Sequence, residues 1–507
     1  MTLMATNWSK YQNDVFDFVL HKNGSTVVSA VAGSGKTTTI VECAKRISSD
    51  KSVLFLAFNK SIVNELTERL KMYRNVTCCT THSLGLKAIF KGCGKVKMFD
   101  GKWYIYIRDN VSMLSSIIAD DTDDGIKREF VRNTSAILSK CRINLIKSGE
   151  IDKIRKIVIH HSLDTIADEI NVVDTLLSQA YKLANGEKTI DYIDMLTLPI
   201  TQFKSKLPRF DYVFIDECQD LNTAQRNLML SALKPNGRFI AVGDRKQAIN
   251  GFARADNNSF DLLKELAKGN ELPLSVNYRC GKSIILQAKE IVPQLEAFEG
   301  SKEGVVKHVT DLKALQPKDM VLCRKTAPLI RICLKALAKG IVANVKGRDI
   351  GESLLSILDK LKPKNISYLY KKLDAELQRI KDQQAKRGIK NIETCCAVLS
   401  FEDKIECLKV FAETSNGIAE MKRKIESLFS VDSQRNAVIF STIHKSKGLE
   451  ADRVHILVPN KLPLTWEGQR AWEYEQEMNL KYVALTRAKS ELYIVDLNEE
   501  QLSRYQF

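Results

Sequence analysis

Ala30-Val31-Ala32-Gly33-Ser34-Gly35-Lys36-Thr37 follows the apolar run Thr26-Val27-Val28 and precedes a helical pattern with Ile40, Val41, Ala44 and Ile47 on one face. A strand, a glycine-rich turn and a helix in that order read as a phosphate-binding loop. The glycines let backbone N–H groups curl around an anionic β-phosphate, and the helix N-terminus adds positive potential. Lys36 can reach the β/γ oxygens and Thr37 can ligate Mg2+. The strict pattern begins with Gly where this chain has Ala30. The loop predicts that ATP or GTP is handled here and leaves the purpose open.

Outward from the loop, short β-branched apolar runs recur at 52–58, 212–215, 238–242, 320–323, 437–442, 454–458 and 492–495. Each ends in a polar or glycine-containing segment, as buried parallel strands do. Amphipathic helical patterns such as Ile62 to Leu70 lie between them, so βα units and doubly wound sheets follow, with ligands at the strand carboxyl ends. Residues 86–200 and 355–430 break this rhythm: they are long, charged and helical in pattern, as Leu369 to Ile380 illustrates. The expected fold is α/β, two lobes with parallel sheets, each carrying a mainly helical insertion. For 355–430 a solvated helical linker is the alternative.

At 507 residues the chain exceeds one hydrophobic core, so two to four domains are expected. No stretch approaches eighteen uninterrupted apolar residues, and Met1 to Lys10 lacks the basic-then-apolar layout of a secretory signal. The expected location is the cytoplasm, nucleoid-associated or, for a viral source, in the host cytoplasm, with no membrane partner. Twelve cysteines are scattered without a C-x-x-C, which fits reduced thiols and no structural metal. The net charge of +16 favours a polyanionic partner through counterion release, nucleic acid first among them.

Tyr212-Val213-Phe214-Ile215 ends in Asp216-Glu217-Cys218-Gln219-Asp220, two adjacent carboxylates at the tip of a buried strand. Asp216 can share a metal with Thr37, and Glu217 can orient and deprotonate an attacking water. The next strand ends in Gly243-Asp244-Arg245-Lys246-Gln247, where Gln247 can sense a γ-phosphate without charge. Asn277-Tyr278-Arg279 and Tyr482-Val483-Ala484-Leu485-Thr486-Arg487-Ala488-Lys489 supply two arginines able to neutralise transition-state charge.

In this order, from the Gln12 segment through the phosphate loop, Ala57-Phe58-Asn59-Lys60, Thr81-His82-Ser83, 216–220, 243–247, Asn277-Tyr278-Arg279, the Thr442 to Glu450 segment and 482–489, the motifs resemble those of superfamily 1 DNA helicases of the UvrD/Rep type, in a compact, phage-like form. The resemblance spans residues 12–489, with almost nothing from the helical insertions. It implies two RecA-like P-loop lobes: 1–85 with 201–278 as the first, 86–200 its helical insertion, 279–354 with 431–507 as the second, and 355–430 a reduced insertion. It implies that Gln12 reads the adenine edge and Tyr278 stacks on the base, making ATP the nucleotide. Ala32, Gly33, Ser34, Gly35, Lys36, Thr37 and Thr38 would hold the phosphates, Thr37 and Asp216 the Mg2+, and Glu450 the ribose. Lys36, Asp216, Glu217, Gln247, Arg279 and Arg487 would form the catalytic set, with ATP between the lobes. Single-stranded DNA would cross both lobes on the opposite side, held by Phe58, Asn59, Thr81, His82, Thr442 and His444, with Phe252 as a stacking face.

The sequence departs from the family where Asn250 replaces an aromatic and Ala253-Arg254 shifts a basic residue by one. Glu477-Met478-Asn479-Leu480 stands where the family has Glu-Arg-Arg-Leu, which predicts fewer cleft-stabilising charges. The expected function is an ATP-dependent helicase or translocase on single-stranded DNA and single-strand/duplex junctions, with 3'-to-5' polarity implied by the family, in replication, repair or recombination. Replication or repair proteins would be its partners, and a monomer is expected, with oligomers on DNA left open. The alternative is an ATP-gated nucleic-acid-binding or protein-stripping factor without productive unwinding.

Overall fold

The computed structural model describes residues 8–507 except 58, 162, 164, 166, 187, 250–258, 314, 387–390, 431–435, 458–461 and 467–468. The chain divides into two compact units, residues 1–30 with 35–274, and residues 275–507 with the tetrapeptide Val31–Ser34.

The first unit is built on a six-stranded sheet in the order Val76–Thr80, Val53–Ala57, Phe210–Ile215, Leu233–Gly243, Thr26–Ala30, Glu271–Leu274, with every neighbouring pair parallel. Side chains of a strand alternate between its faces, and here both faces are covered. Val28, Val53, Phe55, Phe214 and Ile240 pack with Val15, Ile40 and Ala44 of the helices Lys10–His21 and Lys36–Arg46. The interleaved Val27, Leu54, Leu56, Val213 and Ala241 pack on the other side with Leu84, Ala88 and Leu228. That alternation explains why the strands read as unbroken apolar runs.

The helices Lys102–Asp109, Asp124–Ile143, Ile151–His160 and Glu169–Gly186 enclose a separate core that includes Trp103, Ile107, Phe130, Ile137, Leu138, Ile154 and Val173. A short parallel pair, Lys97–Met98 with Thr189–Ile190, adds two strands to a segment that read as helical. Beneath it lies a buried ion cluster. The Arg142 guanidinium pairs with Asp191 and Asp194 at 2.6 Å each, and Lys102 Nζ lies 2.5 Å from Asp194.

The second sheet runs Val305–Val309, Ala488–Val495, Ala451–Leu457, Met320–Cys323, Val438–Thr442, Ala343–Val345, again parallel throughout. The fold class is therefore the expected one. The helices Ile366–Lys386, Cys396–Glu413 and Ile418–Ser430 are not a solvated linker. Their Leu369, Leu373, Leu408, Phe411, Met421 and Ile425 share one core with Leu329 and Ile332 of the helix Thr326–Ala338 and with Val438 and Phe440 of the sheet. Nearby, the buried Glu477 carboxylate accepts three hydrogen bonds from Arg324, at 2.6, 3.0 and 3.0 Å. Among the described residues no helix is long and apolar enough to cross a membrane.

Candidate nucleotide site and strand-binding residues

Because all strands of the first sheet point one way, their carboxyl ends share an edge, and three neighbours there deliver the loop, Asp216 and Asp244. Thr37 Oγ1 donates to Asp216 Oδ2 at 2.5 Å, and Lys36 Nζ lies 3.3 Å from Glu217 Oε2. Glu217 occupies the left-handed region at φ 53°, which costs a non-glycine residue about 1–3 kcal/mol and persists only where its surroundings hold it. Gln219 is one such restraint: its Nε2 donates to Glu217 Oε2 at 2.6 Å while its Oε1 accepts the Asp244 N–H at 3.1 Å. A Cβ at Gly243 would fall 2.4 Å from that Oε1, so a side chain there would push the Gln219 amide out of this position. Gln247 is buried and donates from Nε2 to Asp244 Oδ2 at 2.8 Å.

Burial pushes the Asp216 carboxyl up to about 6, aided by neighbouring Glu217 and opposed by Lys36. Burial also raises Asp244. Burial alone would lower Lys36, but Glu217, Asp244 and Asp216 outweigh it and hold the ammonium above its usual range. Gln12 stands in the first turn of Lys10–His21, in a capping box with Ser9, and its Nε2 donates to Thr39 Oγ1 at 3.1 Å. Gly35, at φ 74°, precedes the helix Lys36–Arg46, and Thr38 is exposed on its first turn.

In the second unit, the tetrapeptide Val31–Ser34 is held by backbone contacts. The Ala32 N–H donates to the Tyr482 hydroxyl at 2.8 Å, Asn277 Nδ2 donates to the Ala32 carbonyl at 2.7 Å, and the Tyr278 N–H donates to the Gly33 carbonyl at 2.9 Å. A Cβ at Gly33, φ 65°, would lie 2.7 Å from Arg279 Cβ. Ser34 Oγ is buried with no hydrogen-bond partner among the described residues. Glu450 and Arg487 immediately precede the strands Ala451–Leu457 and Ala488–Val495, so both stand at the amino edge of the second sheet. There Glu450 pairs with Arg279 at 2.6 Å and Lys489 at 2.7 Å, and although burial opposes it, these cations hold its carboxyl below the usual range. Arg487 is fully buried, its guanidinium donating to the Val483 and Leu449 carbonyls at 3.0 Å each. The Tyr278 ring lies 5.1 Å from that of Phe298.

The strand-binding candidates sit elsewhere on the same frames. Asn59, Thr81 and His82 follow two neighbouring strands of the first sheet. Asn59 Oδ1 accepts the Ile62 N–H at 2.9 Å, and Thr81 Oγ1 accepts from Gln225 at 3.3 Å. The His82 ring meets Tyr192 edge-on at 6.2 Å, and burial lowers its pKa. Thr442 and His444 occupy the carboxyl edge of the second sheet, opposite Glu450 and Arg487. Burial, then Arg324 and Lys445, push His444 down to about 3, so it is neutral at physiological pH. Phe58 and Phe252, with Asn250, Ala253 and Arg254, lie outside the described residues. Four partners carried no assigned role in the sequence reading: Gln219, Asp244, Asn277 and the Tyr482 hydroxyl. Each lies inside a quoted motif, but its role depends on contacts up to 450 positions away in the chain.

A phosphate loop at the carboxyl edge of a parallel sheet, facing paired carboxylates, defines a P-loop nucleotide-binding protein. The chain belongs to the UvrD/REP helicase family: the UvrD/REP helicase N-terminal domain matches residues 12–268 and the UvrD-like helicase C-terminal domain matches residues 348–499. It is similar to F-box DNA helicase 1 of Gallus gallus, 25% identical over 94% of this chain and 48% of that protein. It is also similar to a probable DNA helicase II homolog of Mycoplasma genitalium, 25% identical over 54% of this chain and 42% of that protein. The ATP-dependent DNA helicase PcrA of Staphylococcus aureus is 23% identical over 53% of this chain and 38% of that protein. The chain thus covers less than half the length of these relatives.

Proposed function

We propose that the chain is an ATP-dependent DNA helicase or translocase moving on single-stranded DNA, with 3'-to-5' polarity, in replication, repair or recombination in the cytoplasm. The convergence of Lys36, Thr37, Asp216 and Glu217 at one sheet edge carries this reading. The residues fit Mg2+ and ATP: the hydroxyl–carboxylate pair suits a hard cation, the positive-φ glycines shape an anion cradle, and the buried Ser34 Oγ has no hydrogen-bond partner among the described residues. A bound Mg2+ held by Thr37 and Asp216 would supply Lewis-acid stabilisation of the phosphoryl oxygens. Lys36 binds the β/γ oxygens, and Glu217, aligned by Gln219, orients the attacking water and accepts its proton. Gln247 senses the γ-phosphate, Arg279 and Arg487 neutralise developing charge, Gln12 and Tyr278 select adenine, and Glu450 holds the ribose. Asn59, Thr81, His82, Thr442 and His444 contact the strand.

The test is ATP turnover with and without single-stranded DNA. Turnover should rise on adding DNA, and Lys36→Ala should lower it by at least about a hundredfold while DNA binding stays measurable. Unstimulated turnover in the wild type would sink the motor reading. The packing of the helices in 366–430 into the core of their own unit favours a second reading, an ATP-gated strand-binding or protein-stripping factor that does not unwind. Translocation without displacement of a tailed duplex would select it.

A further inference from the structure

Ala343–Val345 is the last strand of the second sheet, paired on one side with Val438–Thr442. The Val438 N–H donates to the Val342 carbonyl and the Lys346 N–H to the Phe440 carbonyl, both at 2.8 Å. Backbone groups alternate in direction along a strand, so Val342, Asn344 and Lys346 address the neighbouring strand and Ala343 addresses the open edge. Ala343 is buried, yet neither its N–H nor its carbonyl has a hydrogen-bond partner among the described residues. Asn344 beside it is 3% exposed, and neither end of its amide is bonded there either. Buried polar groups are ordinarily paired. A cavity of about 560 Å3 opens at this edge, wholly within the second unit. Leu334 and Leu337 near the end of Thr326–Ala338, Val342, Ala343, and Leu428 on Ile418–Ser430 give it apolar walls. Leu337 and Val342 are 41% and 47% exposed. Lys339 and Lys346, which flank the strand in sequence, have no carboxylate partner among the described residues.

We propose that this edge binds an extended segment of a protein partner. Its main chain pairs with Ala343, one apolar side chain sits in the cavity, and carboxylates beside that anchor face Lys339 and Lys346. An extended peptide presents an unpaired N–H and carbonyl at every residue, the complement of the Ala343 groups and of the Asn344 amide. A helix bonds its own backbone groups internally and would leave the edge unsatisfied. The lysine that lines the cavity, Lys424, is already engaged by Glu420 at 2.9 Å and by the Thr414 carbonyl, so the interior favours an apolar group over a phosphate. The two flanking lysines add charge complementarity to an acidic segment and disfavour a basic one. The volume lies in the range of small-ligand sites and accommodates one large side chain.

The experiment measures fluorescence anisotropy of the labelled peptide Glu-Val-Leu-Val-Glu on the full chain, beside the same peptide N-methylated throughout and a form with lysine in place of both glutamates. The unmodified peptide should bind, the lysine form should bind more weakly, and the N-methylated form should lose at least about tenfold because it has no N–H to donate. Leu337→Glu, on the exposed rim, should weaken the unmodified peptide by at least about tenfold. Ala343→Pro removes the outward N–H while leaving the ladder bonds, and should weaken it about fivefold. Both variants should keep wild-type ATP turnover, and should the proline variant not fold, the rim variant and the N-methylated peptide still decide the matter. No binding at up to about 1 mM peptide, equal affinity for the N-methylated form, or wild-type affinity in Leu337→Glu would each overturn the proposal. Self-association of the wild type that Leu337→Glu abolishes would overturn it in favour of a second copy of this chain. Loss of oligothymidylate affinity in that variant, with peptide affinity kept, would assign the edge to nucleic acid instead.

Discussion

Asp216 is a buried carboxylate whose proton ties the nucleotide site to the stability of the fold around it. It stands at the tip of Phe210–Ile215, between the paired strands Val53–Ala57 and Leu233–Gly243, and burial there, aided by the neighbouring Glu217 charge, raises its carboxyl to about 6. Its ordinary value is 3.8, so between about pH 4 and about pH 6 the folded chain keeps a proton that the unfolded chain has lost. Stability therefore falls as pH rises through that window, and the full cost is present above it. Asp216→Asn should raise nucleotide-free stability at about pH 7.5 by on the order of 2 kcal/mol, a gain that vanishes at about pH 3.5, while ATP turnover is lost. Denaturant melts at the two pH values measure the difference, and an equal gain at both would contradict the assignment of burial as its cause. Glu217 adds a feature that residue identity does not announce: its left-handed backbone is set by tertiary contacts such as that of Gln219.

At the scale of elements, the runs that declared themselves in the sequence are the four central strands of each sheet, and the four that did not are all edges. Val76–Thr80, Glu271–Leu274 and Val305–Val309 are mostly half-buried or exposed, and Ala343–Val345 is three residues long. An edge strand has one paired neighbour and less need of continuous apolar surface, so its composition overlaps that of a loop. The helical segments pose the opposite difficulty. Their periodicity was plain, but whether they pack among themselves or on a sheet depends on which faces meet, and the two segments chose differently. Phe411, fully buried on Cys396–Glu413, tests this: Phe411→Ala should cost about 3–5 kcal/mol and lower the unfolding midpoint of the second sheet along with its own helix. Hydrogen exchange in Val438–Thr442 that matches wild type would show that helix and sheet do not share one cooperative core.

For the whole molecule, an excess of 16 positive charges over 507 residues is a statement about partners rather than fold. Single-strand affinity should fall with a logarithmic slope of about −0.7 per phosphate engaged, so contact with about five phosphates implies roughly a hundredfold loss between about 50 and about 200 mM salt. Fluorescence anisotropy across that range checks it, and a flat profile would place recognition in contacts other than phosphate. The tetrapeptide Val31–Ser34 has a consequence of a different sort. The backbone groups of Ala32 and Gly33 are satisfied by Asn277, Tyr278 and Tyr482. A fragment ending at Leu274 would keep the strand before the loop and the helix after it, yet would lose every one of those partners. The phosphate loop is thus a non-transferable part: linear excision cannot carry it away intact, and a split of this polypeptide restores it only when both pieces reassemble.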